Sequence, residues 1–415
     1  MKDFIKFNST IGNLKHLPRS GWVKRGVPNP ETVASHSWRV AVMILEFTDE
    51  IRAMGADVNK AVKMALYHDL GESIIGDLIP GEHKHADISR EEKRVKESNA
   101  VKALASESGM NEIYGLWQEI EERQTIEAVI VKDFDVIDML LQAFEYMQKY
   151  PTVTGLSDFM QNNESDVKTD LGKRLVAEIK SRQKNLPVGP DASEMSDGTS
   201  GAMAGMRDAA EKIIAFMDIV EKLCHIKRYT LMQDGRQETD SDHIMKLAFL
   251  VMMISPYINR PHDAQKMLEM ALVHDLVEAD AGDVPQPDQI KNPAIKIDKA
   301  ISERAAIKKY HGMLPEPLGQ KIYDLFMEFE EKKTFESRLV DALDKFDGNM
   351  QCNKENHGAR HYAKIGHPVL DRMLENKFSK SLDGEEIIAH IENTLAKISQ
   401  NNIEYCKKKG LIQPI

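Results

Sequence analysis

The sequence is short of cysteine. Three residues, Cys224, Cys352 and Cys406, are scattered over 415 positions. They are too few and too far apart for a disulfide framework or a Cys-x-x-Cys metal site. A reducing, cytoplasmic compartment is the expectation. Glycine (24) and proline (16) are too sparse for a collagenous or largely disordered chain. No stretch approaches the roughly 18 uninterrupted apolar residues that a membrane span needs. The opening MKDFIKFN has no apolar run suited to a secretory signal, so no membrane partner is expected. Basic residues are the minority: 55 Lys and Arg stand against 66 Asp and Glu, a net charge of −11. That balance argues against a nucleic-acid polymer as partner, because such binding needs a basic footprint. It leaves room for a local basic pocket that holds one phosphate.

What is present is ordinary globular material, 42% hydrophobic and 29% charged. The length suits two or three domains at about 100–200 residues each. Apolar residues recur at helical steps, as in Val40, Met43, Ile44, Phe47 and Ile51, and strand-like alternation is scarce. The fold class read from this is all-α. The stretch 186–205, LPVGPDASEMSDGTSGAMAG, has no period and is rich in Gly, Ser, Pro and Asp. It reads as a flexible linker between an N-terminal domain, 1–185, and a C-terminal domain, 206–415.

The two halves repeat each other. DVNKAVKMALYHDLGESIIGD (57–77) and DAQKMLEMALVHDLVEADAGD (263–283) are identical at 11 of 21 positions without a gap. Glu31, Thr32 and His36 match Glu238, Thr239 and His243, and Glu119, Glu122, Thr125 and Glu127 match Glu328, Glu331, Thr334 and Glu336. The offset stays at 206–209 residues, which means two copies of one domain.

Histidines and acids are what the copies share most clearly. The first has His36, His68, Asp69, Glu72, Asp77 and Asp135; the second has His243, His274, Asp275, Glu278, Asp283 and Asp344. From first His to second His to last Asp the gaps are 32 and 67 residues in one copy and 31 and 70 in the other. A helix over 61–70, opened by Asp57 as N-cap, points His68 and Asp69 about 100° apart, so both reach an ion lying between them. Glu72, four residues on, returns over the face of His68. His36 starts an earlier helix, and Asp135 follows a start that Thr125 can cap. Two imidazoles and two carboxylates suit Mn, Fe, Co, Ni, Zn or Mg. Four protein ligands would leave room on an octahedral ion for water and a phosphate oxygen. A third His-Asp pair, His262-Asp263, lacks an acid four residues on, and Asp263 reads as a helix cap.

These residues resemble the HD-domain superfamily of metal-dependent phosphohydrolases, whose pattern is His…His-Asp…Asp on an all-α fold. The first copy is most similar to the branch of bacterial 5′-deoxynucleotidases and their eukaryotic relatives, through LPRSGWVKRGVPNPETVASHSWRVA, YHDLGESIIGD, ISREEK, LWQEIEERQTIEA and KDFDVIDMLLQAFEY. The second resembles a sister group through IKRYTLMQDGRQETDSDH, VHDLVEADAGD, LFMEFEEKKTFES and VDALDKFDGNMQ. The resemblance implies one divalent cation per domain, held by His36, His68, Asp69 and Asp135 and by His243, His274, Asp275 and Asp344. It implies Glu72 with Asp77, and Glu278 with Asp283, as the acids that orient water and move protons. The implied reaction is hydrolysis of a small phosphorylated substrate, a nucleoside monophosphate, by water activated on the cation. In that branch an Arg-Trp pair before the first His handles the nucleotide. Here Trp22 fits the aromatic position, Gly21 precedes it, and Arg19 or Arg25 is the candidate in place of the arginine. Arg228, beside Tyr229, is the candidate in the second copy. Related single-domain enzymes pair, so an internal pseudo-dimer or a homodimer is implied.

Two other readings compete. One copy could hydrolyse while the other senses nucleotide. HD proteins with two metals oxidise substrates or cleave cyclic dinucleotides, but they need extra histidines between the His-Asp pair and the last Asp. Only His83 and His85 in the first copy and His311 in the second lie there. Trp117 and Phe326 read as core anchors, the 22 methionines as gap-filling core, and His357, His361 and His367 as irregularly spaced.

Overall fold

A computed structural model describes residues 4–81, 87–162, 164–184, 201–232, 235–284, 288–289, 292–352 and 408. The expected linker over 186–200 lies outside them, as do His83, His85, His357, His361 and His367. The chain divides into two compact units, Met1–Asp218 with Met313–Glu316, and Ile219–Gly312 with Pro317–Ile415.

In the first unit, α1 (Val33–Glu46) is buried at every residue, as befits a helix at the centre of a core. Thr32 caps it by accepting from the Ser35 amide at 3.0 Å. Asp57 caps α2 (Val58–Tyr67), accepting from the Asn59 and Lys60 amides at 2.9 and 3.2 Å. This helix ends three residues before the expected Leu70. The Leu70 amide turns back to the Tyr67 carbonyl, and the tighter turn leaves His68 at the C-cap. A single turn, α3 (Glu72–Ile75), stops at Gly76, whose φ of +80° a side chain would resist. Then come α4 (Arg90–Ser108), with a Ser89–Glu92 capping box, and α5 (Glu112–Glu122). The long α6 (Ile126–Lys149), capped by Thr125, packs on α1, α2 and α5. Asp133 of α6 accepts from the Lys168 and Thr169 amides and so fixes the entry to α7 (Asp170–Lys184).

The second unit repeats this order. Helix α8 (Gly201–Leu223) runs from the first unit into the second, where a short ribbon follows, β1 (Lys227–Leu231) antiparallel to β2 (Gln237–Thr239). Next are the wholly buried α9 (Asp240–Ile254) and α10 (Ala264–Val273), capped by Thr239 and Asp263. A one-turn α11 (Glu278–Ala281), α12 (Pro293–Met313), α13 (Leu318–Glu331) and α14 (Phe335–Cys352) follow. Helix α9 packs on α10 and α14 as α1 packs on α2 and α6.

The all-α reading stands, with one ribbon added. Its Tyr229-Thr230 pair favours a strand, and Gly235, at φ +85°, permits the reversal. In the first unit the same place is a single bridge, Pro18 with Thr32. One boundary is corrected: residues 201–205, assigned to the linker, start α8, because Ala and Met favour helix and outweigh two glycines. Asp263 is a cap, accepting from the Lys266 amide at 2.9 Å, and Trp117 and Phe326 are buried core. Among the described residues no helix is long and apolar enough to cross a membrane.

All three tryptophans, Trp22, Trp38 and Trp117, lie in the first unit, so their fluorescence reports that unit alone. Asp57→Ala is expected to cost it about 1 kcal/mol, the usual worth of an N-cap. The measurement is the midpoint of the urea transition followed by tryptophan emission.

Candidate metal centres

In the first unit, the start of α1, the end of α2 and the middle of α6 bring four side chains together. His36 Nε2 lies 3.2 Å from His68 Nε2, 3.2 Å from Asp135 Oδ1 and 3.8 Å from Asp69 Oδ2. His68 Nε2 lies 3.2 Å from Asp69 Oδ2. The far side of each ring is anchored. His36 Nδ1 meets Asp138 Oδ2 at 2.7 Å, and His68 Nδ1 meets the Ala65 carbonyl at 2.6 Å. With Nδ1 as the protonated nitrogen, each Nε2 offers its lone pair to the same point. Arg39 backs Asp138 at 2.7 Å and continues to Gln142 and Glu145.

The second unit rebuilds the arrangement. His243 Nε2 is 2.9 Å from Asp344 Oδ1, and His274 Nε2 is 3.2 Å from Asp275 Oδ2. Asp347 and the Ala271 carbonyl hold the two Nδ1 atoms, at 3.0 and 2.8 Å. Lys246 replaces Arg39 behind Asp347. Both Nε2 atoms are buried and meet these carboxylates outside good hydrogen-bond geometry. Leaving such groups unpaired is costly, and two imidazole nitrogens facing two carboxylates form a donor set that fits a divalent cation.

The electrostatics agree. Burial and Arg19 press His36 toward neutrality, yet its bonds to Asp135 and Asp138 prevail and lift it to about 10. His243 likewise rises to about 9 against burial and Arg228. Asp69 is held well below the usual carboxylate range, chiefly by His68 working against burial. Each cluster therefore attracts positive charge strongly.

The acids beside the ligands are placed differently. Glu72 is buried, and Lys93 donates to its Oε1 at 2.9 Å. Burial, then Asp69 and Asp77, push Glu72 well above the usual range. Glu278 is paired in the same way with Lys299 at 2.8 Å and is pushed up to about 9 by burial and Asp275. Asp77 accepts from the Ser20 amide, and its carbonyl accepts from the Ser20 hydroxyl at 2.6 Å, tying the Arg19 segment to the centre. Burial raises Asp283 despite Arg228.

A cavity of about 930 Å³ opens on the first centre, lined by His68, Asp69, Glu72, Asp77 and Asp135 and by the cations Arg19, Arg25, Arg90, Lys93, Arg94 and Lys132. Arg19 is half-buried, with its Nη1 out of solvent and unpartnered. Trp22, expected to meet a nucleotide, is only 1% exposed. Its indole N–H donates to Glu31, and it packs on Tyr146 and Phe159, so it backs the wall. Arg25 lies over Phe159 and donates to the Gly155 and Gly21 carbonyls. In the second unit Arg228 reaches Asp240 at 3.3 Å and Asp275 at 2.8 Å.

Sequence reasoning missed Asp138, Asp347, Lys93, Lys299 and Asp240. The first four carried a signal: an acid three residues after the last ligand Asp, and a lysine 21 residues after the glutamate, recur in both copies.

The HD-domain family model matches residues 11–174 and 220–384. The chain belongs to the HD-domain family, in tandem. Its first part is similar to the 5′-deoxynucleotidase HDDC2 of Dictyostelium discoideum, 39% identical over 196 residues, which is 44% of this chain and all of that one. The human HDDC2 is 33% identical, covering 46% of this chain and 92% of its own. The yeast 5′-deoxynucleotidase YGK1 is 34% identical, over 41% and 78%. Among solved structures, a conserved hypothetical protein from Pyrococcus furiosus is 36% identical over 44% of this chain and 99% of its own, with a TM-score of 0.37.

Asp138→Asn removes the charged anchor of His36 Nδ1 while keeping its shape. It is expected to weaken retention of a divalent cation by the first unit about 10–100-fold, read by metal analysis after dialysis against a graded chelator.

Proposed function

We propose that the first unit is a 5′-deoxynucleotidase-like phosphomonoesterase that converts a nucleoside monophosphate to nucleoside and phosphate. The observation that carries this is the convergence of His36, His68, Asp69 and Asp135 beneath a cavity rimmed with cations. The cavity's volume lies within the usual range for small-molecule sites, about 300–1,000 Å³. The 5′-deoxynucleotidases similar to the first part of the chain support the substrate class.

Each unit holds one divalent cation, the second through His243, His274, Asp275 and Asp344. When bound, the cation polarises a phosphoryl oxygen and makes water more acidic. The protein's own groups do the rest. Arg19, with Nη1 free of other partners, binds a phosphoryl oxygen, and Lys93 and Lys132 add positive charge around it. Glu72, held by Lys93 beside the candidate ligands, accepts the proton of the attacking water. As the water oxygen bonds to phosphorus, the bond to the 5′ oxygen breaks, and that oxygen takes a proton with the help of Asp77. Asp77 also holds Ser20, and with it Arg19, in register. Trp22, Phe159 and Arg25 form a wall on which the nucleoside rests. Glu278 and Asp283 are the corresponding acids of the second unit. The absence of a membrane-crossing helix among the described residues, together with sparse cysteine, supports a cytoplasmic setting.

The test is phosphate release from nucleoside mono-, di- and triphosphates with Mn, Co, Mg or Zn. Deoxynucleoside monophosphates are expected to be cleaved, and chelation to stop the reaction. His68→Ala is expected to lose the cation of the first unit. Glu72→Gln is expected to keep that cation and lose about 100-fold or more in the first unit's turnover. A chain that cleaves none of these esters, or a Glu72→Gln chain with unaltered turnover once the second centre is disabled, sinks the assignment.

A further inference from the structure

The two centres share their candidate ligand sets but not the surroundings of their arginines. Thr32 and Thr239 are equivalent caps, so the next residues correspond: Val33 in the first unit and Asp240 in the second. Asp240 is fully buried, with Oδ2 unpartnered, and its Oδ1 takes the Arg228 guanidinium at 3.3 Å. The same Nη1 of Arg228 is bound to ligand Asp275 at 2.8 Å, and Nη2 lies 3.8 Å from ligand Asp344.

Arg19 holds the matching place in the first unit. The bridge there pairs Pro18 with Thr32, as Lys227 pairs with Thr239. Nη1 of Arg19 is unpartnered, whereas that of Arg228 is spent on two carboxylates. Other cations of the first cavity change too. Lys132, three residues before ligand Asp135, becomes Asp341 before Asp344, and the Asp341 carboxylate is held by Lys332 and Lys345. Arg94 follows Lys93 as Ala300 follows Lys299.

We propose that the second centre excludes the phosphomonoester dianion that the first accepts, and that Asp240 is the specificity-determining residue, by fixing Arg228 on the ligand carboxylates. The proposal rests on the reading of the first centre as a phosphomonoester site. A dianion entering the second would meet an arginine whose Nη1 is already bound to two carboxylates, where the first unit offers an Nη1 without a hydrogen-bond partner. Phosphate hydrolysis by this chain is then the work of the first unit alone, and the second admits ligands with less negative charge.

The probe is inorganic phosphate, titrated calorimetrically into the full-length chain loaded with Mn. Wild type is expected to bind one phosphate per chain, and His68→Ala none. Asp240→Val, which copies the first unit, is expected to bind two. Should that variant not fold, Asp240→Asn, equal in shape and neutral, is read in the same way. In parallel, His68→Ala is expected to lose about a hundredfold or more of phosphate release from deoxynucleoside monophosphates. Two phosphates per wild-type chain, none at all, an Asp240 variant that stays at one, or a His68→Ala chain keeping half the turnover overturns the proposal. A wild-type chain that binds one phosphate but cleaves no nucleotide counts against the nucleotidase reading and leaves this one standing.

Discussion

Each unit depends on the way its histidines are held from behind. An imidazole can direct only one nitrogen at a cation, and the other must be satisfied where water cannot reach it. Asp138 and the Ala65 carbonyl do this in the first unit, and Asp347 and the Ala271 carbonyl in the second. The rest of the fold serves that constraint. Helix α1 is buried throughout because His36 must lie at its inner end. Helix α6 carries both a candidate ligand, Asp135, and an anchor, Asp138, one turn apart. Arg39 and Lys246 keep the anchoring carboxylates charged in places where an unpaired carboxylate would be costly.

The resulting clusters are electrostatically tense. Two aspartates and a buried glutamate crowd the first centre, and the glutamate is raised by their charge as well as by burial. Lys93 relieves part of this through Glu72, and Lys299 does the same for Glu278. A bound cation would relieve the remainder. Glu72, paired with Lys93, is thus set apart from Asp69, which lies close by in the chain, and from Asp135, which comes from α6.

Much of this was legible in the sequence because it was written twice. A lone His-Asp pair says little, and the chain's own third pair proved to be a capping aspartate beside a histidine bonded to Ser255. The caps at Asp57, Thr125 and Asp263 could be read because short polar side chains before apolar runs have one physical use there. Burial was harder to read. Trp22 looks like an exposed aromatic in a loop rich in Gly and Pro, but Glu31, Tyr146 and Phe159, the latter two more than a hundred residues further along the chain, enclose it. The ribbon at 227–239 was hidden because five residues are too few to display alternation. The start of α8 was hidden because glycines flank its alanines and methionines.

The ligands stand at helix ends or on one central helix, and the chain between them is free to vary. The last interval is 67 residues in one copy and 70 in the other, yet Asp135 reaches His36 and Asp344 reaches His243. The converging side chains come from α1, the end of α2 and α6, while most of the cavity's cations come from the segment before α1 and from α4. Substitutions in the connecting loops and at the residue after a capping threonine can retune what is admitted without disturbing the grip. A duplicated gene of this design can evolve a second preference in one half while the other keeps the original trade.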